Sequence, residues 1–144
     1  MCEKEKAIIK METLYIYASK EDKNNAEKFI EALSKAGYKT VLASSSPKEN
    51  DFVLLILSSD TTKESLLSSC PFLLEQFELS SFKGFRLMPV LVYSSKVGLD
   101  ETWDSGVGDI YDELISGEFK PFGFDLDSKE PLKEFPRILE EYSE

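Results

Sequence analysis

The run from Phe52 to Leu57 constrains the fold more than any other part of this chain. Its six apolar residues follow one another without alternation, between the turn-forming pairs Asn50-Asp51 and Ser58-Ser59. A short unbroken apolar run is typical of a strand that is covered on both faces in a parallel sheet, since a buried helix is usually longer. Open parallel sheets bind ligands beyond the carboxyl ends of their strands, so the sequence directs the search for a site to residues 58–62.

Length and composition indicate one folded domain. The chain has 144 residues, of which 42% are hydrophobic and 12% aromatic, enough to bury a sizeable core. Half of residues 1–12 are charged, and we expect a leader or short helix there. Residues 13–144 are then predicted to form the single domain.

The charge balance excludes several classes of partner and chemistry. Lys and Arg number 17 against 27 Asp and Glu, for a net charge of −10 with no basic patch, which argues against nucleic acid and anionic membranes. The chain has no His, the commonest general base and transition-metal ligand, and no metal site is predicted. Cys2 and Cys70 are too few for a disulfide framework, and no signal peptide or apolar run of ~20 residues is present. We therefore expect free thiols and a cytoplasmic protein.

Strand and helix patterns alternate in the first part of the chain. The run 14–18 is rich in strand formers, and Ser19 with Asp22 has the spacing of a capping box at the start of a helix. Apolar residues at helical spacing continue to Gly37, which favours a left-handed helix end. Residues 38–43 resemble a second strand. The connector 44–50 is too short for a crossover helix, so either the second and third strands pair unusually or the helix is reduced to a turn.

The second part of the chain continues the alternation less regularly. Pro71 suits the first position of a helix over about residues 71–80. A fourth strand is predicted over residues 86–92, where Pro89 indicates an edge, a bulge or a strand end. An irregular fifth strand within 119–126 and a last helix from Pro131, with a kink at Pro136, complete the prediction.

Four segments in this order resemble the Toll/interleukin-1 receptor (TIR) domain family. The first strand runs through Ser19 into an acid, a helix ends at a Gly, an aliphatic run ends in Ser58, and a later strand has the family's aliphatic-aliphatic-Pro-Val-Leu pattern. The four segments are Leu14–Asp22, Ala26–Tyr38, Asn50–Ser58 and Leu87–Leu91. The resemblance implies an α/β, flavodoxin-like three-layer sandwich with a central, mostly parallel sheet of four or five strands. It also implies a signalling module that associates with other protein domains, including its own kind. The exposed acids would favour a basic partner surface.

Enzymatic members of the family cleave NAD, and the resemblance gives this chain an alternative function. Their catalytic Glu lies in the helix after the central strand, in a Trp-Cys-x-x-Glu context, where this chain has Cys70 and Glu75 without the Trp. A carboxylate there can stabilise an oxocarbenium-like transition state. The resemblance makes Glu75 the catalytic residue of an NAD glycohydrolase, with Ser19, Asp22 and Ser58 lining the pocket. NAD would be the substrate, and no cofactor is expected.

Other interpretations remain open from the sequence. Glu75 can instead be a solvated or ion-paired helix acid. The family's long loop after the second strand, which helps to form the nucleotide pocket and the assembly surface, is reduced here to Ser44–Asn50. Asp22 and Asp51 resemble the acidic pocket of response-regulator receivers, although Ser58 stands where their phosphorylated Asp belongs. A nucleoside deoxyribosyltransferase relative is a third enzyme class. Cys70 is either a reactive or a buried structural thiol. Trp103 is either a packing anchor or a partner-binding aromatic.

Overall fold

A five-stranded, all-parallel sheet forms the centre of the protein. The computed structural model describes residues 13–43, 51–70, 86–94, 109 and 122–142. The strands lie in the order β2-β1-β3-β4-β5, and every neighbouring pair is parallel. Their bounds are β1 (Thr13–Tyr17), β2 (Lys39–Leu42), β3 (Phe52–Leu57), β4 (Arg86–Tyr93) and β5 (Phe122–Asp125). The predicted α/β, flavodoxin-like fold with a central parallel sheet is confirmed.

The apolar run 52–57 is the middle strand of this sheet. All six residues of β3 are buried, and β3 pairs with β1 on one side and β4 on the other. Alternate residues of an extended strand point to opposite faces, so burial of the whole run means that both faces are covered. The prediction of a central strand is therefore confirmed.

One face of the sheet carries two of the described helices. Helix α1 (Lys23–Lys35) buries Ala26, Phe29 and Leu33. Helix α3 (Phe135–Tyr142) packs its Phe135 ring against Phe29, with ring centroids 5.9 Å apart. Phe29 also contacts Phe122 and Phe124 of β5, at 6.3 and 5.0 Å. These aromatic contacts hold α1 and α3 together over β5.

Helix α1 ends as its sequence predicts. Gly37 has φ +93°, in the left-handed region. The Gly37 N–H donates to the Ser34 carbonyl (3.1 Å) and the Tyr38 N–H donates to the Leu33 carbonyl (3.0 Å). This pair of bonds is the Schellman arrangement, in which the residue after the helix satisfies its last carbonyl groups.

The start of the first helix differs from the prediction. Lys20–Asp22 form a single 3-10 turn before α1, and Ser19 makes no side-chain cap to the backbone. Ser19 instead donates its hydroxyl to the Asp22 carboxylate at 3.1 Å. The capping-box prediction is wrong because Asp22 points into the protein, where it is fully buried.

The sequence interpretation also missed one helix and misplaced another. Helix α2 (Lys63–Ser69) begins after Thr62, whose side chain accepts a hydrogen bond from the Ser65 N–H at 3.2 Å. Helix α3 begins at Phe135 and not at Pro131. Pro136 thus lies in the first helical turn, where a missing N–H removes no intrahelical bond, so it has no reason to kink the helix.

Two questions about strand pairing are resolved by the sheet order. β2 and β3 are separated by β1, as in the ordinary doubly wound pattern, so unusual pairing of the second and third strands is wrong. β4 is an inner strand, and the prediction of an edge at Pro89 is also wrong. The described pairing of β4 with β5 begins at Val90, one residue after the proline. The connector 44–50, the predicted helix at 71–80 and the leader 1–12 lie outside the described residues.

Candidate functional site

The candidate site lies at the carboxyl ends of β1 and β3. These two strands are neighbours, yet the chain leaves β1 toward one edge of the sheet and β3 toward the other. Such a reversal in strand order is where open α/β sheets usually bind their ligands. Ser19 follows β1 closely and Ser58 follows β3 directly, so the predicted residues do meet at this position.

Asp22 is the centre of a buried polar cluster at this point. Its carboxylate accepts hydrogen bonds from four side chains, two on each oxygen. Oδ1 accepts from Ser58 Oγ and from Asn25 Nδ2 (3.1 Å), and Oδ2 accepts from Thr61 Oγ1 and from Ser19 Oγ (3.1 Å). We call Ser19, Asp22, Asn25, Ser58 and Thr61 the Asp22 cluster. Two oxygens offer about four lone-pair positions, so the carboxylate has no acceptor capacity left.

Two hydroxyl groups of the cluster, those of Ser58 and Thr61, also accept hydrogen bonds. The Ser58 N–H donates to Thr61 Oγ1 at 2.8 Å, and the Asp60 N–H donates to Ser58 Oγ at 3.1 Å. Ser58 and Thr61 therefore donate to Asp22 and accept from the backbone at the same time. A buried carboxylate is tolerated when hydrogen bonds replace its water shell, and here they come from both strand ends. The cluster thus ties the β1–α1 turn to the β3–α2 loop.

Burial closes the predicted ligand-binding residues to solvent. Ser19, Asp22 and Ser58 are 1%, 0% and 4% exposed, and Thr61 is 7% exposed. A small concavity of about 120 Å³ lies beside Ser58, bounded further by Asn25, Ser59, Asp60, Val92, Tyr93, Ser94 and Leu126. Pockets for drug-sized ligands and cofactors are typically ~300–1,000 Å³, so this concavity is too small for a dinucleotide.

Several other predicted residues are not brought to this position. Glu75 and Trp103 lie outside the described residues. Asp51 precedes β3, whereas Asp22 follows β1. Because the strands are parallel, the two acids lie at opposite ends of the strands. A strand of six residues separates such ends by about 20 Å. The receiver-like acidic pocket is therefore not formed.

Two described side chains, Cys70 and Tyr17, have strongly raised pKa values and stay protonated at neutral pH. Burial raises the pKa of the Cys70 thiol to about 12. Burial, with smaller contributions from Asp51, Cys70 and Tyr15, raises the pKa of Tyr17 to about 12. Cys70 is a free, buried thiol, as the structural interpretation of this cysteine predicts. A thiol that stays protonated is a poor nucleophile.

Sequence reasoning did not single out two members of the cluster, Asn25 and Thr61, although Thr61 lies within the predicted range 58–62. Each lies three residues after a residue that was singled out, Asp22 and Ser58 respectively. That spacing brings side chains together in the first turn after a strand. The sequence signal that could have identified them is a pair of polar residues, at positions i and i+3, just after each of two adjacent strands.

Comparisons with known proteins add nothing to this description. No family model, curated protein or solved structure matches the chain. Among the described residues, no helix is both long and apolar enough to cross a bilayer. The same residues include no group of three or more Cys, Asp or Glu side chains that could hold a metal ion.

Proposed function

We propose that this chain is a TIR-like interaction module that signals by associating with other protein domains, in the cytoplasm. The observation that supports the proposal is the closed Asp22 cluster. In open α/β enzymes the crevice at this strand reversal is left free for substrate. Here its polar side chains are used by one another, and they hold two loops together instead of facing solvent.

The charge of the chain supports association as the mode of action. With a net charge of −10, exposed acids can select partners by complementarity and favour their approach. A module of this kind requires a rigid scaffold with surface residues that vary in charge. The all-parallel sheet with its buried aromatic contacts supplies that scaffold.

The experiment that tests the proposal compares association with NAD cleavage. The purified chain is incubated with NAD at high protein concentration, and nicotinamide release is followed for wild type and Glu75→Gln. We expect no release above the buffer blank, because the described residues at the ends of β1 and β3 leave a concavity of only about 120 Å³, too small for a dinucleotide. Release by the wild type that is lost in Glu75→Gln would overturn the proposal and establish the hydrolase.

Sedimentation velocity over a range of protein concentrations, alone and with candidate domains, provides the positive part of the test. A shift to larger species with increasing concentration or with an added domain is the result expected of an interaction module. A chain that remains monomeric under every condition and also cleaves NAD through Glu75 would refute both halves of the proposal.

A further inference from the structure

A second concavity lies between α1 and the segment that follows β5, and it shares only Leu126 with the small concavity beside Ser58. Its volume is about 880 Å³. We call it the α1 groove. Its lining residues are Lys28, Glu31, Ala32, Lys35, Ala36, Phe124, Asp125, Leu126 and the run 129–133.

Both walls of the α1 groove are held in place by the fold. One wall is α1, which the Phe29 ring anchors on Phe124 of β5 at 5.0 Å. The other wall is a chain of turns. In it the Asp127 N–H donates to Asp125 Oδ1 (2.9 Å), the Glu130 N–H to Ser128 Oγ (3.1 Å) and the Lys133 N–H to the Glu130 carbonyl (3.1 Å). A preformed concavity costs little ordering free energy when it is filled.

The floor of the groove is apolar and partly exposed. Ala32 and Ala36 leave room on α1 where larger side chains would fill the space. Leu126 is 36% exposed, and it is one of three large hydrophobic residues that are exposed within the described ranges. An apolar side chain of a partner can remove this surface from water.

The rim of the groove has the opposite charge balance to the rest of the chain. Four lysines and three acids line it, for a local charge of +1, whereas the whole chain carries −10. Glu31 is already paired with Lys35 at 3.2 Å. Lys28, Lys129 and Lys133 have no ion pair among the described residues, which leaves three cations on two walls against two acids, Asp125 and Glu130.

We propose that the α1 groove binds an acidic linear segment of a partner protein, with one apolar side chain seated on Leu126 and its neighbours. This inference rests on the proposed function, since it names the partner chemistry of the interaction module. Carboxylates of the segment would meet Lys28 on one wall and Lys129 and Lys133 on the other. Nucleic acid is disfavoured as the occupant because three lysines are a short footprint for a phosphate backbone, and the sequence has no basic patch that would extend it.

The test is an NMR titration of the ¹⁵N-labelled full chain with the blocked peptide Asp-Glu-Leu-Asp-Glu, to about 5 mM, the range suited to a weak exposed site. We expect saturable shifts centred on the amides of Ala32, Ala36 and Leu126. Replacing the peptide's leucine by serine, or its acids by lysines, should weaken binding at least about tenfold. Absence of saturable shifts, or shifts spread evenly over the surface, would overturn the inference.

Matched charge-reversal variants separate the groove from the overall charge of the chain. The variant K28E/K129E/K133E changes three groove lysines, and K20E/K23E/K39E changes three exposed lysines outside it; each triple takes the formal charge from −10 to −16. The groove triple should lose peptide binding by at least about tenfold relative to the control triple. Equal loss in both triples would show a nonspecific effect of charge and refute the groove. Either result leaves the nicotinamide assay unaffected, so failure here is distinguishable from failure of the proposed function.

Discussion

The Asp22 cluster and the α1 groove use polar residues in opposite ways. In the cluster every acceptor of a 0% exposed carboxylate is taken by a neighbouring side chain. In the groove three lysines without ion pairs among the described residues stand around Leu126, which is 36% exposed. The first arrangement stabilises the fold and the second leaves interactions to be made. The crevice at the strand reversal, where proteins of this fold usually bind ligands, is therefore not the part of this protein whose polar groups are open to a partner.

The largest loss of stability is expected for Asp22→Ala. The substitution leaves three buried hydroxyl groups and the Asn25 amide without their acceptor, so we expect the free energy of unfolding to fall by about 3–4 kcal/mol. Urea denaturation measures the change. Asp60→Ala is the control in the same loop, because its side chain is exposed, and it should cost less than about 0.5 kcal/mol. Equal effects of the two substitutions would mean that the cluster does not hold the loops together.

Alkaline pH provides a second test of the buried part of the protein, because burial opposes the loss of a proton from its titratable groups. The pKa of Tyr17 is raised from 10.0 to about 12, first by burial. The unfolded chain therefore loses this proton before the folded protein does. The stabilisation is fully present below about pH 10 and is lost as pH rises to about 12. Stability measured by urea denaturation should fall across this window, by up to about 2 kcal/mol.

Tyr17→Phe identifies the group responsible for that fall. The variant should show a shallower decrease in stability between pH 10 and pH 12 than wild type. Cys70, Tyr38 and Tyr93, whose pKa values burial also raises, contribute to the remaining slope. An unchanged slope in Tyr17→Phe would assign the alkaline loss to other groups.

A single hydroxyl of the cluster tests its individual bonds. Ser58→Ala removes one donor to Asp22 and one acceptor for the Asp60 N–H, and we expect a loss of about 1–2 kcal/mol. Ser59→Ala, one residue away and exposed, should change stability by less than about 0.5 kcal/mol. Chemical denaturation of the pair distinguishes a specific bond from a general loop effect. Losses of the same size would argue for the loop effect.

The smallest stability change is expected in the groove. K28E/K129E/K133E alters only side chains on an open rim, so its free energy of unfolding should stay within about 0.5 kcal/mol of wild type. Urea denaturation again gives the value, beside the same measurement on K20E/K23E/K39E. A loss of several kcal/mol in the groove triple alone would mean that its lysines are structural, and the contrast between the two regions would disappear.

Much of the fold follows from patterns that act over a few residues. The run 52–57 predicts a doubly covered strand because no other short element buries six consecutive side chains, and Gly37 predicts a helix end because it tolerates the left-handed conformation. The elements that were missed depend on less local information. Helix α2 spans only seven residues, three of them serines, and offers little periodicity. The start of α3 is set by the turns that precede it.

The candidate site shows the same limit. The family resemblance placed Ser19, Asp22 and Ser58 around one pocket, and these three residues do lie together. Spacing along the chain does not say whether a carboxylate points toward solvent or toward its neighbours. That orientation depends on Asn25 and Thr61, which complete the set of donors. The α1 groove was not predicted at all, because its walls come from segments about 100 positions apart in the sequence.

The most direct test of this account is an NMR titration of the ¹⁵N-labelled chain with NAD to about 5 mM, read at the amides of residues 19–25 and 58–62. We predict that these signals do not move, since Ser19, Asp22 and Ser58 are 1%, 0% and 4% exposed and bonded to one another. Saturable shifts confined to those two segments would show that the crevice opens to a dinucleotide and would contradict the account.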